Sequence, residues 1–389
     1  MTMAARADFS VAVVGGGPAG ATASRLLAER GARVTLFEAL PRAEKPCGGG
    51  VPSTALDAFP GLMRSSLPRR VVREVLVISP SNLEARIPLQ DGIHVFSRRD
   101  LDGFLRDRAQ AAGAALACAR VRGVGRVGAA WEVRTDDGVS GPFDFLVGAD
   151  GVRSVVRRSL GHAWPDSELT LALYAYVPGV SRSEMVLKFL PDIDGYIWAF
   201  PRADHVSVGI CARHRSVAHT RLRDELLRFV EGHYPEGRFP ERDLRGYFIP
   251  AAPHPPGPRG IVARRWALIG DAAGFVDPLT REGIAHAVRS AAAMAGALAA
   301  RGRIATPALP ANLAWAHRHG TGFYRKAFLD AMTHLAARSI SIRGVLGDLL
   351  EGRQGYRGLK TRLLMRAVSC GREAGLGELF AAARGALRP

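Results

Sequence analysis

The sequence predicts an α/β protein in which a parallel, doubly wound domain is interleaved with a mostly antiparallel β domain and followed by a helical C-terminus. Three observations lead there. The chain opens on a strand, a glycine-rich turn and a helix, FSVAVVGGGPAGATASRLLAERG, and a second strand, ARVTLFE, follows directly. Two later segments, FDFLVGADGVRS and RWALIGDAAGFVDPLTREGI, repeat the step from apolar strand to glycine turn. Between them residues 165–262 change character, with strand-like runs LALYAYVPG, SEMVLKFLP, GYIWAFP and DHVSVGIC.

Taken in order, residues 9–40 read as a βαβ start, and 41–60 as a Pro/Gly-rich loop, PRAEKPCGGGVPSTALDAFP. EVLVISP and LEARIPL alternate and read as antiparallel strands. FSRRDLDGFLRDRAQAAG reads as a helix, with Leu101, Phe104 and Leu105 on one face, Asp100 near its start and Gly113 at its end. RVRGVGRV and AAWEVRTDDG form a meander whose turn signal is Asp136-Asp137-Gly138. FDFLVGADG returns as a short buried strand, RLRDELLRFVEGHYP interrupts the antiparallel region as a helix, and the pattern is helical from Gly283 onward. No internal repeat or low-complexity linker separates these pieces. The expected division is therefore discontinuous: 8–70, 95–160 and 262–300 in the first domain, 71–94 and 161–261 in the second, and 301–389 as the helical region.

The 389 residues are 47% hydrophobic and 23% charged, a globular balance. The net charge is +17, from 53 basic residues against 36 acids, and only Lys45, Lys188, Lys326 and Lys360 are lysines. Such an excess favours anionic partners, a phosphorylated substrate or an anionic lipid surface. No nucleic-acid module is visible, so no nucleic-acid partner is expected. Cys47, Cys118, Cys211 and Cys370 form no CxxC pair, which argues against a disulfide framework or a metal site. The first ten residues lack an apolar signal-peptide core, and the run Ser290 to Ala300 is too short to cross a bilayer. A cytoplasmic location is expected, with the protein soluble or peripheral on the inner membrane face. The basic residues Arg338, Arg343, Arg353, Arg357, Lys360, Arg362 and Arg366 fit either a solvated amphipathic face or docking on an anionic membrane.

The three glycine turns carry the chemistry. In the first, Gly15 allows the tight turn, Gly17 lets the backbone approach a pyrophosphate, and Gly20 lets the helix pack on the strand, with Pro18 and Ala19 opening that helix. The helix N-terminus offers unpaired N–H groups to phosphates. Glu38, ending the second strand, can accept from a ribose diol. Asp150 ends the second segment's strand. In the third, the Gly270–Asp271 turn presents a carboxylate to a ribityl hydroxyl, and Gly283 and Ile284 open a helix able to face the carbonyl edge of a flavin. Three such loops in this order point to a Rossmann-type FAD-binding domain.

With these fingerprints the chain resembles the para-hydroxybenzoate-hydroxylase-like FAD superfamily over residues 9–300 and, within it, the geranylgeranyl reductase family. The narrower resemblance rests on PCGGGVP, on GYIWAFPRADHVSVGI with Tyr196, Trp198, Phe200, Pro201 and Gly209, and on GDAAGFVDPLTREGI. Arg281 departs from it, standing where the family has glycine; there it would crowd the flavin pyrimidine edge or reach an anionic group. The resemblance implies that Cys47 lies beside the flavin, donating a proton or shaping the pocket, although a water or the flavin could also deliver that proton. It also implies that Arg99 lies near the FAD pyrophosphate, a role its neighbour Arg98 could take instead. Tyr196, Trp198 and Phe200 alternate, so they share one strand face, suited to an apolar polyene or to plain core packing.

The expectation that follows is an FAD-dependent oxidoreductase that reduces isoprenoid C=C bonds of a lipid or prenyl diphosphate by hydride transfer from reduced flavin N5. The alternative is a flavin-dependent monooxygenase acting on an aromatic or protein side-chain substrate. With a single GxGxxG and no second nucleotide domain, electrons are expected from transiently bound NAD(P)H or from a ferredoxin-type protein.

Overall fold

The computed structural model describes residues 9–180, 182–237, 239, 241–251, 261–277, 280–301, 333, 336, 337 and 340–351. The chain opens with β1 (Ser10–Val14), α1 (Pro18–Ala28) and β2 (Arg33–Phe37). Then come β3 (Gly50–Pro52), β4 (Arg69–Ile78), β5 (Glu84–Phe96), α2 (Arg98–Ala111) and β6 (Ala115–Ala117). The meander β7 (Val121–Val127), β8 (Ala130–Thr135) and β9 (Gly138–Phe143) leads into β10 (Phe145–Gly148) and α3 (Val155–Ser159). The central stretch holds β11 (Leu169–Pro178), β12 (Met185–Phe189), β13 (Gly195–Pro201), β14 (His205–Arg213), α4 (His219–His233) and β15 (Arg245–Pro250). Last are β16 (Val262–Ala263), β17 (Trp266–Leu268), α5 (Ile284–Arg301) and α6 (Ile340–Leu350).

The apolar opening strand is central to a six-stranded sheet of order β16-β17-β10-β1-β2-β6. β1 pairs in parallel with β2 and β10, Val11 to Val14 opposite Phe145 to Gly148, and only β16 runs antiparallel. Both faces are covered, which is why the strand reads SVAVV without polar alternation. Val11 and Val13 pack against α1 and α5, with Ala23, Leu27, Ala291 and Met294. Ala12 and Val14 face the other way, onto Val124, Trp131 and Phe143 of the meander.

The second sheet has eight strands in the order β15-β11-β14-β13-β12-β4-β5-β3. Period-2 alternation sorts its residues cleanly. Ile197, Ala199, Val208 and Ile210 turn to α4, meeting Leu222, Leu226 and Phe229. Tyr196, Trp198, Cys211, Leu187 and Tyr174 turn to the opposite face, part of which α6 covers through Val345 and Leu349. The α/β expectation therefore stands: a parallel Rossmann-type sheet and a mostly antiparallel second sheet. β3, from the glycine-rich loop, joins the edge of the second sheet beside β5.

No helix among the described residues is long and apolar enough to cross a membrane. Of the basic C-terminal residues, Arg343 lies on α6; Arg338, Arg353, Arg357, Lys360, Arg362 and Arg366 lie outside the described residues, as does Cys370.

The junction of the first turn with α1 leaves no room for a side chain. A Cβ on Gly20 would stand 1.8 Å from the Gly15 carbonyl oxygen. Gly20→Ala is expected to lose about 1–3 kcal/mol, the usual cost of overpacking, read as a lower urea midpoint at unchanged m-value.

Candidate active site

The glycine turns of the parallel sheet and the aromatic face of the second sheet meet in one open cavity of ≈ 1410 Å³, its mouth included. Its polar end is built by Gly17, Lys45, Arg98 and Asp271, its apolar end by Tyr174, Met185, Leu187 and Trp198.

Of the residues singled out in the sequence, Gly17, Pro18, Ala19, Cys47, Tyr196, Trp198, Phe200, Asp271, Gly283 and Ile284 all line this cavity. Gly15, Gly20 and Gly270 shape turns behind it: Gly15 and Gly270 have φ of +101° and +58°, left-handed backbone that favours glycine. Glu38 organises the first turn directly, accepting from the Gly16 N–H at 2.8 Å and the Leu40 N–H at 2.9 Å. Asp150 turns its carboxylate to the start of α3, accepting from Ser154 and from the N–H groups of Val155 and Val156. Burial pushes its carboxyl up and those hydrogen bonds oppose the rise. Its neighbours Ala149 and Gly151, not Asp150 itself, line the cavity.

Arg99 is exposed, while Arg98 is 4% exposed and forms the cavity wall. Successive residues in a helix point about 100° apart, so only one of the two arginines opening α2 can face inward. The Arg98 guanidinium holds Asp102 through two 2.8 Å hydrogen bonds, and Arg98 and Cys47 both line the cavity.

The cysteine loop is seated by groups that sequence reasoning passed over. Arg202, 4% exposed at the end of β13, reaches Glu44 at 3.3 Å and donates to the Cys47 carbonyl at 3.0 Å. The Ser207 hydroxyl donates to the same carbonyl at 3.3 Å. Glu44 in turn accepts from Ser97 and from the N–H groups of Arg98 and Arg99, capping α2 from a distant loop. Burial raises the Glu44 carboxyl, but these donors and Arg202 outweigh it and leave it below the usual glutamate value. Lys45 stands 3.8 Å from Asp271 and over the Tyr247 ring. Burial disfavours its charge, Tyr247 and Asp271 favour it, and the net effect holds the ammonium above the ordinary lysine range. The visible hint was position alone: Glu44 and Lys45 sit within three residues of Cys47.

The aromatic strand needs small neighbours. Gly209 lies opposite Trp198, and a Cβ there would fall 2.1 Å from the indole ring. Phe200 rests on the cysteine loop, where a Cβ on Gly48 would lie 2.9 Å from its ring. The Tyr196 hydroxyl donates to the Thr280 carbonyl, tying this strand to the loop of the third fingerprint. The Trp198 Nε1–H is buried without a partner among the described residues, a donor left for a ligand.

Arg281 lines the junction of the two ends and has φ +58°. That left-handed conformation costs a non-glycine residue about 1–2 kcal/mol. Its Nη1 donates to the Ala251 carbonyl at 3.2 Å. Glu282, next along, accepts from the Ala285 N–H at 2.7 Å and so caps α5.

A family model described as an FAD binding domain matches residues 8–223. The geranylgeranyl diphosphate reductase of Synechocystis sp. is 33% identical over 311 residues, 72% of this chain and 73% of that protein. The chain belongs to the geranylgeranyl reductase family of FAD-dependent oxidoreductases. The geranylgeranyl diphosphate reductase of Rhodobacter capsulatus is 31% identical, with 81% of this chain and 82% of that one covered. Among solved structures, a geranylgeranyl bacteriochlorophyll reductase-like protein from Thermoplasma acidophilum superposes with a TM-score of 0.76 at 21% identity, covering 92% of this chain and 98% of its own. At that identity the likeness establishes the fold.

The family's cofactor fits this cavity. Residues without bulk, Gly17, Ala19, Gly151 and Gly283, line its nucleotide side, and the N-termini of α1 and α5 both open there.

The Glu44 network makes a stability prediction. A carboxylate whose folded pKa is depressed stabilises the fold above its unfolded pKa, and that contribution disappears as pH falls through the folded value. Glu44→Gln is expected to lose about 1–3 kcal/mol at neutral pH and to show a shallower loss of stability on acidification. Urea unfolding at neutral and acid pH reads both effects.

Proposed function

We propose that the chain reduces isoprenoid carbon–carbon double bonds of a lipid or prenyl diphosphate. The observation that carries the proposal is the continuity of the cavity, from nucleotide loops at one end to an apolar, aromatic face at the other. Its relatives from Synechocystis and Rhodobacter capsulatus are geranylgeranyl diphosphate reductases, and one from Methanothermobacter thermautotrophicus, 30% identical, is a digeranylgeranylglycerophospholipid reductase.

In this reading Gly17, Pro18 and Ala19 at the start of α1, together with Arg98, hold the FAD phosphates. Asp271 accepts from the ribityl chain, and Gly283 and Ile284 at the start of α5 face the ring's carbonyl edge. When bound, FAD supplies the two-electron chemistry that saturating a C=C bond requires. Tyr174, Leu187 and Trp198 grip a chain that offers no polar handles, by area and shape, and keep water from it. Cys47, on the cavity wall with its sulfur accepting from the Gly49 N–H at 3.3 Å, is the side chain placed to deliver the proton.

The direct test is product mass after the purified, chemically reduced holoprotein meets geranylgeranyl diphosphate without air. Stepwise gain of hydrogen pairs is expected. No hydrogenation, with an oxygenated product once air is admitted, would make the chain a monooxygenase instead. Cys47→Ala is expected to keep its FAD and lower turnover about 10²–10⁴-fold, the range for loss of a positioned proton donor. Unchanged turnover would take the thiol out of the reaction.

A further inference from the structure

We infer that α6 is the wall ending the chain-binding part of the cavity, and that Leu350 gauges how much isoprenoid chain enters. The inference rests on the isoprenoid reading above and adds the residue that sets substrate length. Leu350 is the one described residue of α6 that lines the cavity, and it packs against the cluster that holds Ile93 and Leu187. The rest of the helix is spent on covering the same sheet face next door. Val345 and Leu349 are buried against Val75, Ala85, Ile87 and Leu89 of β4 and β5, so the open face stops where α6 begins.

A gauge must be rigid, and the chain on either side of Leu350 is held. Three residues earlier Gly347 lies so close to β5 that a Cβ on it would stand 2.7 Å from the Pro88 carbonyl oxygen. One residue later Glu351, 1% exposed, accepts the N–H groups of Gln90, Asp91 and Gly92 at 3.1, 2.7 and 2.7 Å. Its own carbonyl accepts from the Thr54 hydroxyl, and the Thr54 carbonyl accepts from Arg289 of α5 at 3.3 Å. Leu350 is thereby tied both to the β5 turn and to the helix that opens at the third fingerprint. A side-chain change there cannot be absorbed by sliding α6, so it passes directly into cavity length. Glu351 is the positioning residue; it does not face the cavity.

The experiment compares kcat/KM for geranylgeranyl and geranyl diphosphate in the reduced holoprotein. Leu350→Trp is expected to lower the geranylgeranyl-to-geranyl ratio about tenfold or more, and Leu350→Ala to raise it, as apolar pockets discriminate by roughly that factor per small group. Glu351→Ala is expected to shift the ratio through a displaced α6, with Glu351→Gln, which keeps one acceptor oxygen, restoring part of it. FAD content and thermal unfolding of each variant exclude misfolding. A ratio that stays at the wild-type value in both Leu350 variants would overturn the inference. A wild-type protein that reduces neither diphosphate nor a digeranylgeranyl glycerophospholipid would overturn the isoprenoid reading itself.

Discussion

Much of this site hangs on one buried cation. Arg202 leaves the end of the aromatic strand and meets the Glu44 carboxylate and the Cys47 carbonyl in the same few ångströms. Glu44 carries the link onward by capping α2, whose first inward residue, Arg98, lines the cavity with Cys47. The cysteine loop, α2 and the second sheet are thus joined by charge-assisted hydrogen bonds. Removing one partner costs about 1–3 kcal/mol, because the group left behind stays largely buried. A glycine triplet that would otherwise be slack is held in a single geometry.

The cavity follows from strand periodicity. Eight strands sort their side chains to two faces, and α4 packs on one of them through Leu222, Leu226 and Phe229. The other face is only partly covered, by α6 over β4 and β5, and the remainder fronts the cofactor turns. The aromatic residues of β13 are therefore both core and lining: Tyr196 and Trp198 are 6% and 7% exposed yet edge the cavity. The choice posed by the sequence between core packing and ligand contact does not divide these residues.

The parallel sheet was legible because its signals are local. An apolar strand ending in GGGPAG needs no distant partner to declare a turn and a helix, and the antiparallel runs alternate visibly. Glu44, Lys45, Arg202 and Glu351 were not legible, since each acts on residues far along the chain: Arg202 lies 158 positions from Glu44, and Glu351 260 from Asp91. Arg98 and Arg99 show the limit at finer scale. Sequence places both at a helix start, but the helical phase that buries one depends on where Glu44 caps the first turn.

Arg281 departs from the family resemblance that the third fingerprint carries, and its left-handed backbone is one that glycine adopts without strain. A residue at φ +58° carries a conformational cost that glycine avoids. The guanidinium offsets that cost in part through the Ala251 carbonyl, which directly follows β15 and so joins the third fingerprint to the edge of the second sheet. Glycine at the same place would leave that carbonyl without this donor and would remove a fixed positive charge from the cavity wall. Strain of this kind persists only where surrounding structure enforces it. Here the Thr280 carbonyl engaged by Tyr196 and the Glu282 cap on α5 hold the residues on both sides of Arg281.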